Sequence, residues 1–256
     1  MLVAERAYFL LCLALGKLLR AARYSTARIV RRDGELQVRK HRSFYAPILV
    51  WLGGPLVRIL DTGSRVLPQR QWEERERLVY GSLYGASIVI DTDRALVLPL
   101  LTGATLAILL ENRALDDSTR KRAIELAVVA LAEFHGRGFT HGDAMAENVM
   151  VDLEAGVAHW FDFETVHDSR RPVIWRRADD VRALLATCLV RTSPGQFAET
   201  LQLILDVYAN EAVTRLLVPT FTSVLQRPLS FHLGQAPLSF QSFREIARLV
   251  RARLGE

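Results

Sequence analysis

The sequence predicts an α+β fold in which strands come early and helices late. Three observations predict it: alternating apolar residues on both sides of a turn at residue 33, apolar residues at three- and four-residue steps after residue 117, and a hydrophobic share of 50% in 256 residues, enough for a real core. Charged residues make up 24%, and there is no low-complexity tract or internal repeat, which excludes a disordered or fibrous chain. The order of elements divides the chain into an N-terminal helix over 1–25, a β-rich part over 26–102 with an apolar insertion at 44–60, and a helical part over 103–256. Two lobes with a hinge near 99–103 are expected.

The first element is an apolar run over 7–16, preceded by Glu5 and Arg6 and ended by Lys17. It falls short of the ~20 residues a membrane span needs. No cleavage site follows it, and Cys12 lacks the small preceding residue of a lipoprotein signal. Two readings stay open, a buried helix or a helix lying on a membrane surface beside basic residues. The only cysteines, Cys12 and Cys188, are far apart in apolar stretches, which argues against disulfides and structural zinc and fits a reducing cytoplasm.

Residues 26–32 and 35–41 read as strands joined by Asp33-Gly34, a dipeptide suited to a tight hairpin. From 44 to 60 the chain is oily but broken by Pro47 and Gly53-Gly54-Pro55, so it cannot be one helix. It either presents an apolar face or completes a core around Trp51. Gln69–Tyr84 reads as a charged helix, 87–90 and 95–100 as strands around Asp91-Thr92-Asp93, and 101–103 as a connector. Asp117 or Ser118 is expected to cap a helix carrying Ile124, Ala127, Val128, Leu131 and Phe134 up to His135-Gly136. A loop over 139–148 and a hairpin of 149–152 with 157–161 follow; after Ala178 the pattern is helical, with loops at 193–195 and 226–237.

The net charge of +5, from 33 basic and 28 acidic residues, is concentrated in Arg20, Arg23, Arg28, Arg31, Arg32, Arg39, Lys40, His41 and Arg42. Such a run is a solvated face or meets an anionic partner. No zinc-finger, helix-turn-helix or aromatic-basic signature accompanies it, so nucleic acid is not the expected partner.

The stretch that carries chemistry reads His141-Gly142-Asp143-Ala144-Met145-Ala146-Glu147-Asn148, then Trp160-Phe161-Asp162-Phe163-Glu164. Phosphoryl transfer needs a positioned nucleophile and Mg²⁺ held by hard oxygens. An Asp five residues before an Asn, with a second Asp leaving the next hairpin, puts a base beside two such ligands.

Here the chain resembles the protein-kinase-like superfamily: 141–148 is similar to H-R-D-L-x-x-x-N, and Asp162-Phe163-Glu164 to D-F-G. The resemblance implies a bilobal kinase-like fold, ATP and Mg²⁺. By it, Asp143 would be the catalytic base, Asn148 and Asp162 the metal ligands, and His141 and Phe163 structural. Lys40 would pair the nucleotide phosphates and meet a helical glutamate. Among Glu73, Glu74 and Glu76 the choice is Glu76, because Val79, Tyr80 and Leu83 would face inward with it. Asp179 or Asp180 would brace the catalytic loop or cap a helix.

The chain also departs from that pattern. No glycine-rich loop precedes Lys40, no Lys or Arg follows Asp143 in the loop, Glu164 replaces the glycine of D-F-G, and 165–177 is short with no A-P-E-like end. These departures bring it nearest the atypical lipopolysaccharide-core and Kdo kinase group, which shares an insertion before the glutamate helix. The function implied is transfer of phosphate to a small or lipid-linked hydroxyl acceptor, in the cytoplasm or at the inner face of the membrane. A pseudokinase module and an atypical serine/threonine protein kinase are the alternatives. The clusters Arg170-Arg171 and Arg176-Arg177 are candidates for an anionic acceptor, and His159 and His167 read as a strand and a surface residue.

Overall fold

The computed structural model describes residues 25–43, 63–222 and 240–254. The N-terminal helix, the apolar insertion and the 226–237 loop expected from the sequence lie outside the described residues.

The architecture is mixed α+β, as expected. Strands β1 (Ser25–Arg32) and β2 (Glu35–Arg42) form an antiparallel hairpin, with Ala27 opposite Lys40. Asp33 and Gly34 both take positive φ, 52° and 87°, the turn that matches the natural twist of two strands. Next to β2 lie β5 (Leu96–Pro99) and then β4 (Val89–Ile90), giving the order β1-β2-β5-β4. Lys40 and Arg42 share the inward face of β2. The basic run is partly neutralised by the 91–93 turn, since Arg32 and Arg39 each bond Asp91 at 3.0 Å.

Helix α1 (Gln69–Tyr84) starts after Pro68 and ends at Gly85, whose positive φ of 61° closes the last turn. Trp72, Glu76, Val79 and Tyr80 recur along one buried stripe. In front of it, β3 (Ser64–Val66) pairs with β9 (Thr165–His167), a two-stranded sheet absent from the elements expected. A three-residue strand is too short to show a period of two.

A three-stranded sheet, β6-β7-β8, joins β6 (Ala104–Thr105), β7 (Val149–Asp152) and β8 (Val157–Trp160). The connector expected at 101–103 therefore leads into a short strand and helix α2 (Leu106–Glu111), capped by Thr105. Helix α3 (Asp117–Gly136) is capped by Asp116, whose side chain accepts from Thr119 N at 2.7 Å. Asp117 and Ser118, the caps expected, lie inside the first turn. Helices α4 (Val173–Leu189), α5 (Phe197–Tyr208), α6 (Glu211–Thr222) and α7 (Phe240–Leu254) follow. Because α4 begins at Val173, Asp179 and Asp180 are mid-helix residues and cap nothing.

One apolar core runs from Trp72, Val79 and Leu96 through Leu131, Phe134 and Phe163 to Leu184 and Leu201. Phe134 joins its parts, stacking on Phe163 at 5.6 Å and on Phe139 at 5.5 Å between ring centroids. Among the described residues no helix is long and apolar enough to cross a membrane.

Candidate functional site

The 139–148 loop leaves α3 with its backbone tied to α4. His141 N and Gly142 N donate to Asp180 Oδ2 and Oδ1 at 2.7 and 2.8 Å, and Ala146 N donates to Thr187 Oγ1 at 3.0 Å. Gly142 has φ +85° and packs so closely on β9 that a Cβ would sit 2.9 Å from Val166 Cα. Only glycine fits there. His141 is fully buried; its Nε2 donates to Phe161 O at 2.9 Å and its Nδ1 accepts from Asp143 N at 3.3 Å. Burial pushes its pKa down to about 4, so the ring stays neutral and structural near pH 7.

A short 3₁₀ turn, Ala146–Asn148, brings Asn148 back onto Asp143. Asn148 Nδ2 donates to Asp143 O at 2.8 Å and to Asp143 Oδ2 at 3.0 Å. The other carboxylate oxygen, Asp143 Oδ1, is buried with no hydrogen-bond partner. Burial, aided by the charge of Asp162, raises the Asp143 pKa well above the usual carboxylate range. A carboxyl poised in this way is suited to take a proton.

Asp162 leaves β8 with φ 68°, the left-handed region, in which Asp is one of the few side chains regularly found. Bonds on both sides hold it there: Phe161 N to Asn148 O at 3.0 Å, Phe163 N to Glu76 Oε1 at 3.2 Å, and Leu67 N to Glu164 O at 2.8 Å. The buried ring of Phe163 wedges between Phe134, Tyr80 and His141.

Lys40 completes the group. Its Nζ lies 2.5 Å from Asp162 Oδ1, 3.5 Å from Glu76 Oε1 and 4.0 Å from Glu164 Oε2. Burial works against the ammonium, but the three carboxylates outweigh it and raise the Lys40 pKa. Glu76 is fully buried and accepts from Trp72 Nε1 at 2.9 Å. Burial pushes Glu164 up to about 7, with Asp162 adding to the effect and Lys40 opposing it.

Three carboxylates, Glu76, Asp162 and Glu164, thus surround one lysine, Asp143 lies within the electrostatic reach of Asp162, and oxygens without a hydrogen bond remain on Glu76, Asp143 and Glu164. The excess of hard, negative oxygens suits a divalent cation. Among the described residues, no group of three or more His, Cys, Asp and Glu side chains is arranged to hold a metal by itself. Asn148 and Asp162 fit a site that other oxygens, such as those of a polyphosphate, would complete.

Every residue expected in the site is in this cluster or under it: Lys40, Glu76, His141, Asp143, Asn148, Asp162 and Phe163. Glu164, expected only as a departure from a motif, is a member. His167 is corrected from a surface residue to a buried one, 5% exposed, bonded to Asp179 and Thr140. Of the arginine clusters, Arg170 pairs with Asp168, Arg171 lies over the Trp175 ring at 4.9 Å, and Arg177 donates to His135 O at 2.7 Å. No protein-family model matches this sequence, and no curated protein is significantly similar to it.

Proposed function

We propose that this chain is an ATP- and Mg²⁺-dependent phosphotransferase with a two-lobed, protein-kinase-like fold, acting on a small or lipid-linked hydroxyl acceptor. One observation carries the reading: Lys40, Glu76 and Asp162, from segments far apart in sequence, meet beside the Asp143–Asn148 pair. Separate structural needs would not bring a buried lysine, two carboxylates and an Asp–Asn pair together at such a cost in desolvation.

The residues divide the work. Asp143, with Oδ1 free of hydrogen bonds and Oδ2 fixed by Asn148, orients the acceptor hydroxyl and takes its proton as the oxygen attacks the terminal phosphorus of ATP and the bond to the bridging oxygen breaks, releasing ADP. Lys40, steadied by Glu76, meets the nucleotide phosphates. Asn148 and Asp162 would hold Mg²⁺, which supplies neutralisation of the phosphate charge. His141 and Phe163 keep the loop and the Asp162 turn in register.

The choice of acceptor rests on two features. The segment after Glu164 is consumed by the pairing of β9 with β3, which leaves little platform for a protein chain. The lipid-linked option rests on the oily run at 44–60 within the insertion at 44–70, whose position resembles that in the lipopolysaccharide-core kinases, and would place the protein in the cytoplasm near the membrane's inner face. The rival reading, a nucleotide-binding module without turnover, draws on the sequence having no glycine-rich loop before Lys40; among the described residues Gly34 is six residues from Lys40 along an extended strand, about 20 Å away, so the hairpin turn does not take that loop's place.

The test is ADP release from MgATP with panels of sugars, glycolipids and amino alcohols. At least one acceptor class should stimulate release in the wild type and not in Asp143→Asn. Equal release in both proteins across every panel would remove the acceptor-dependent reading.

A further inference from the structure

We propose that His167 is a positioning residue that ties the strand following Asp162 to Thr140 and to the Asp179–Asp180 pair, of which Asp180 anchors the Asp143 loop, so that both halves of the site share one buried support. The inference rests on the proposed function only for the meaning of the site; the geometry stands by itself.

His167 ends β9, opposite Ser64 of β3. Its Nε2 lies 3.1 Å from Asp179 Oδ2 and 3.7 Å from Asp180 Oδ1, and its Nδ1 lies 3.1 Å from Thr140 Oγ1. Both ring nitrogens therefore face groups able to accept, the arrangement that suits an imidazolium. Asp180 is the residue that holds His141 N and Gly142 N. On the other side, β9 continues a ladder with the chain entering α1: Asp168 N bonds Gly63 O at 2.7 Å and Leu67 N bonds Glu164 O. Val166 touches Gly142. The ring thus stands where the Asp162 segment, the Asp143 loop and the approach to the Glu76 helix converge.

The charges around it come from every packed element. On α4 these are Asp179, Asp180, Arg182, which is ion-paired with Asp179, and Arg176, whose charge disfavours the imidazolium. From α3, His135 Nε2 bonds Asp180 at 2.9 Å. From α1, Arg75 donates to Thr140 O at 2.5 Å. His141 belongs to the loop itself. Asp179 is paired with buried Arg182, while Asp180, which also feels the part-buried Arg75, faces the ring, so a positive charge at 167 adds to the balance of the pair. Burial opposes the charge, but the Asp180 charge and the Asp179 bond prevail and raise the His167 pKa. A group whose folded pKa is raised adds stability below its unfolded pKa of about 6.5 and loses it as pH climbs through the folded value. The support is expected to loosen on the alkaline side.

The experiment is amide exchange by mass spectrometry in wild type and His167→Gln, at about pH 6 and about pH 9, corrected for intrinsic exchange. In the wild type, 139–143 and 162–168 should exchange at least about tenfold faster at the higher pH, while α5 stays unchanged. In His167→Gln both segments should be fast at either pH. Slow exchange in the variant, or acceleration spread equally over α5, would overturn the proposal. Should the variant not fold, NMR titration of the wild-type His167 ring must share its midpoint with the exchange step, and separate midpoints would refute it. None of these readouts needs turnover, so failure here leaves the phosphotransfer reading intact, and failed turnover with this exchange pattern sinks only that reading.

Discussion

Replacing Asp180 with alanine is expected to cost about 3–5 kcal/mol of stability, the range for removing one partner from a buried charged network. Its side chain is 1% exposed and accepts from His141 N, Gly142 N and His135 Nε2. Alanine would leave two buried backbone donors and a histidine without their acceptor, beside a charged His167 that has lost half of its counterion pair. Despite burial, which works against ionisation, the surrounding histidines hold the Asp180 pKa down to about 2, so the carboxylate is ionised wherever the protein is folded at ordinary pH. In a chain of this size the thermal midpoint should fall by on the order of 10 °C. Asp180→Asn, which keeps one acceptor oxygen, should cost less. Scanning calorimetry checks both, and a loss below about 1 kcal/mol for alanine would mean that the loop is held by other contacts.

The second large effect belongs to catalysis rather than folding. Asp143→Asn should lower acceptor-dependent ADP formation by about 10²–10⁴-fold, the usual contribution of a positioned general base. The same change should leave stability unchanged or slightly higher. Oδ1 has no partner to lose, the amide oxygen can still accept from Asn148 Nδ2, and a buried charge near Asp162 and Glu164 disappears. A drop in activity with an undiminished thermal midpoint separates a base from a structural carboxylate. Turnover within tenfold of wild type would deny Asp143 the role.

What the sequence made legible follows from how each feature is encoded. The β1–β2 hairpin was readable because Asp33-Gly34 demands its turn and the flanking strands are long enough to alternate. Helix α1 emerged to the residue, and Glu76 could be selected among three glutamates because the buried stripe has helical spacing. The candidate residues of 141–148 and 160–164 stood out by their short, fixed spacing and its resemblance to kinase motifs, and Lys40 was sought only because of that resemblance. The β3–β9 pairing was not readable, since strands of three residues leave no periodic trace and partners about 100 residues apart leave no local signal. That blindness accounts for the error at His167, whose burial depends on the pairing. Asp180 was separable from Asp179 only once the helix phase was fixed by a start at Val173; then one carboxylate faces the loop and the other faces Arg182. Glu164 was visible only as a substitution in a motif, and its place beside Lys40 needed three dimensions.

Under the proposed function, Asp162, with Asn148, makes nucleotide binding depend on Mg²⁺. Calorimetric titration of ATP into wild type and Asp162→Ala, each with and without Mg²⁺, tests it most directly. Lys40 keeps Glu76 and Glu164 as partners when Asp162 is removed, so the variant should remain folded. Binding in the wild type should be tighter with Mg²⁺ than without it, and Asp162→Ala should lose at least tenfold of that metal-dependent gain. No ATP binding by the wild type at millimolar nucleotide, or equal binding with and without Mg²⁺ in both proteins, would contradict the account.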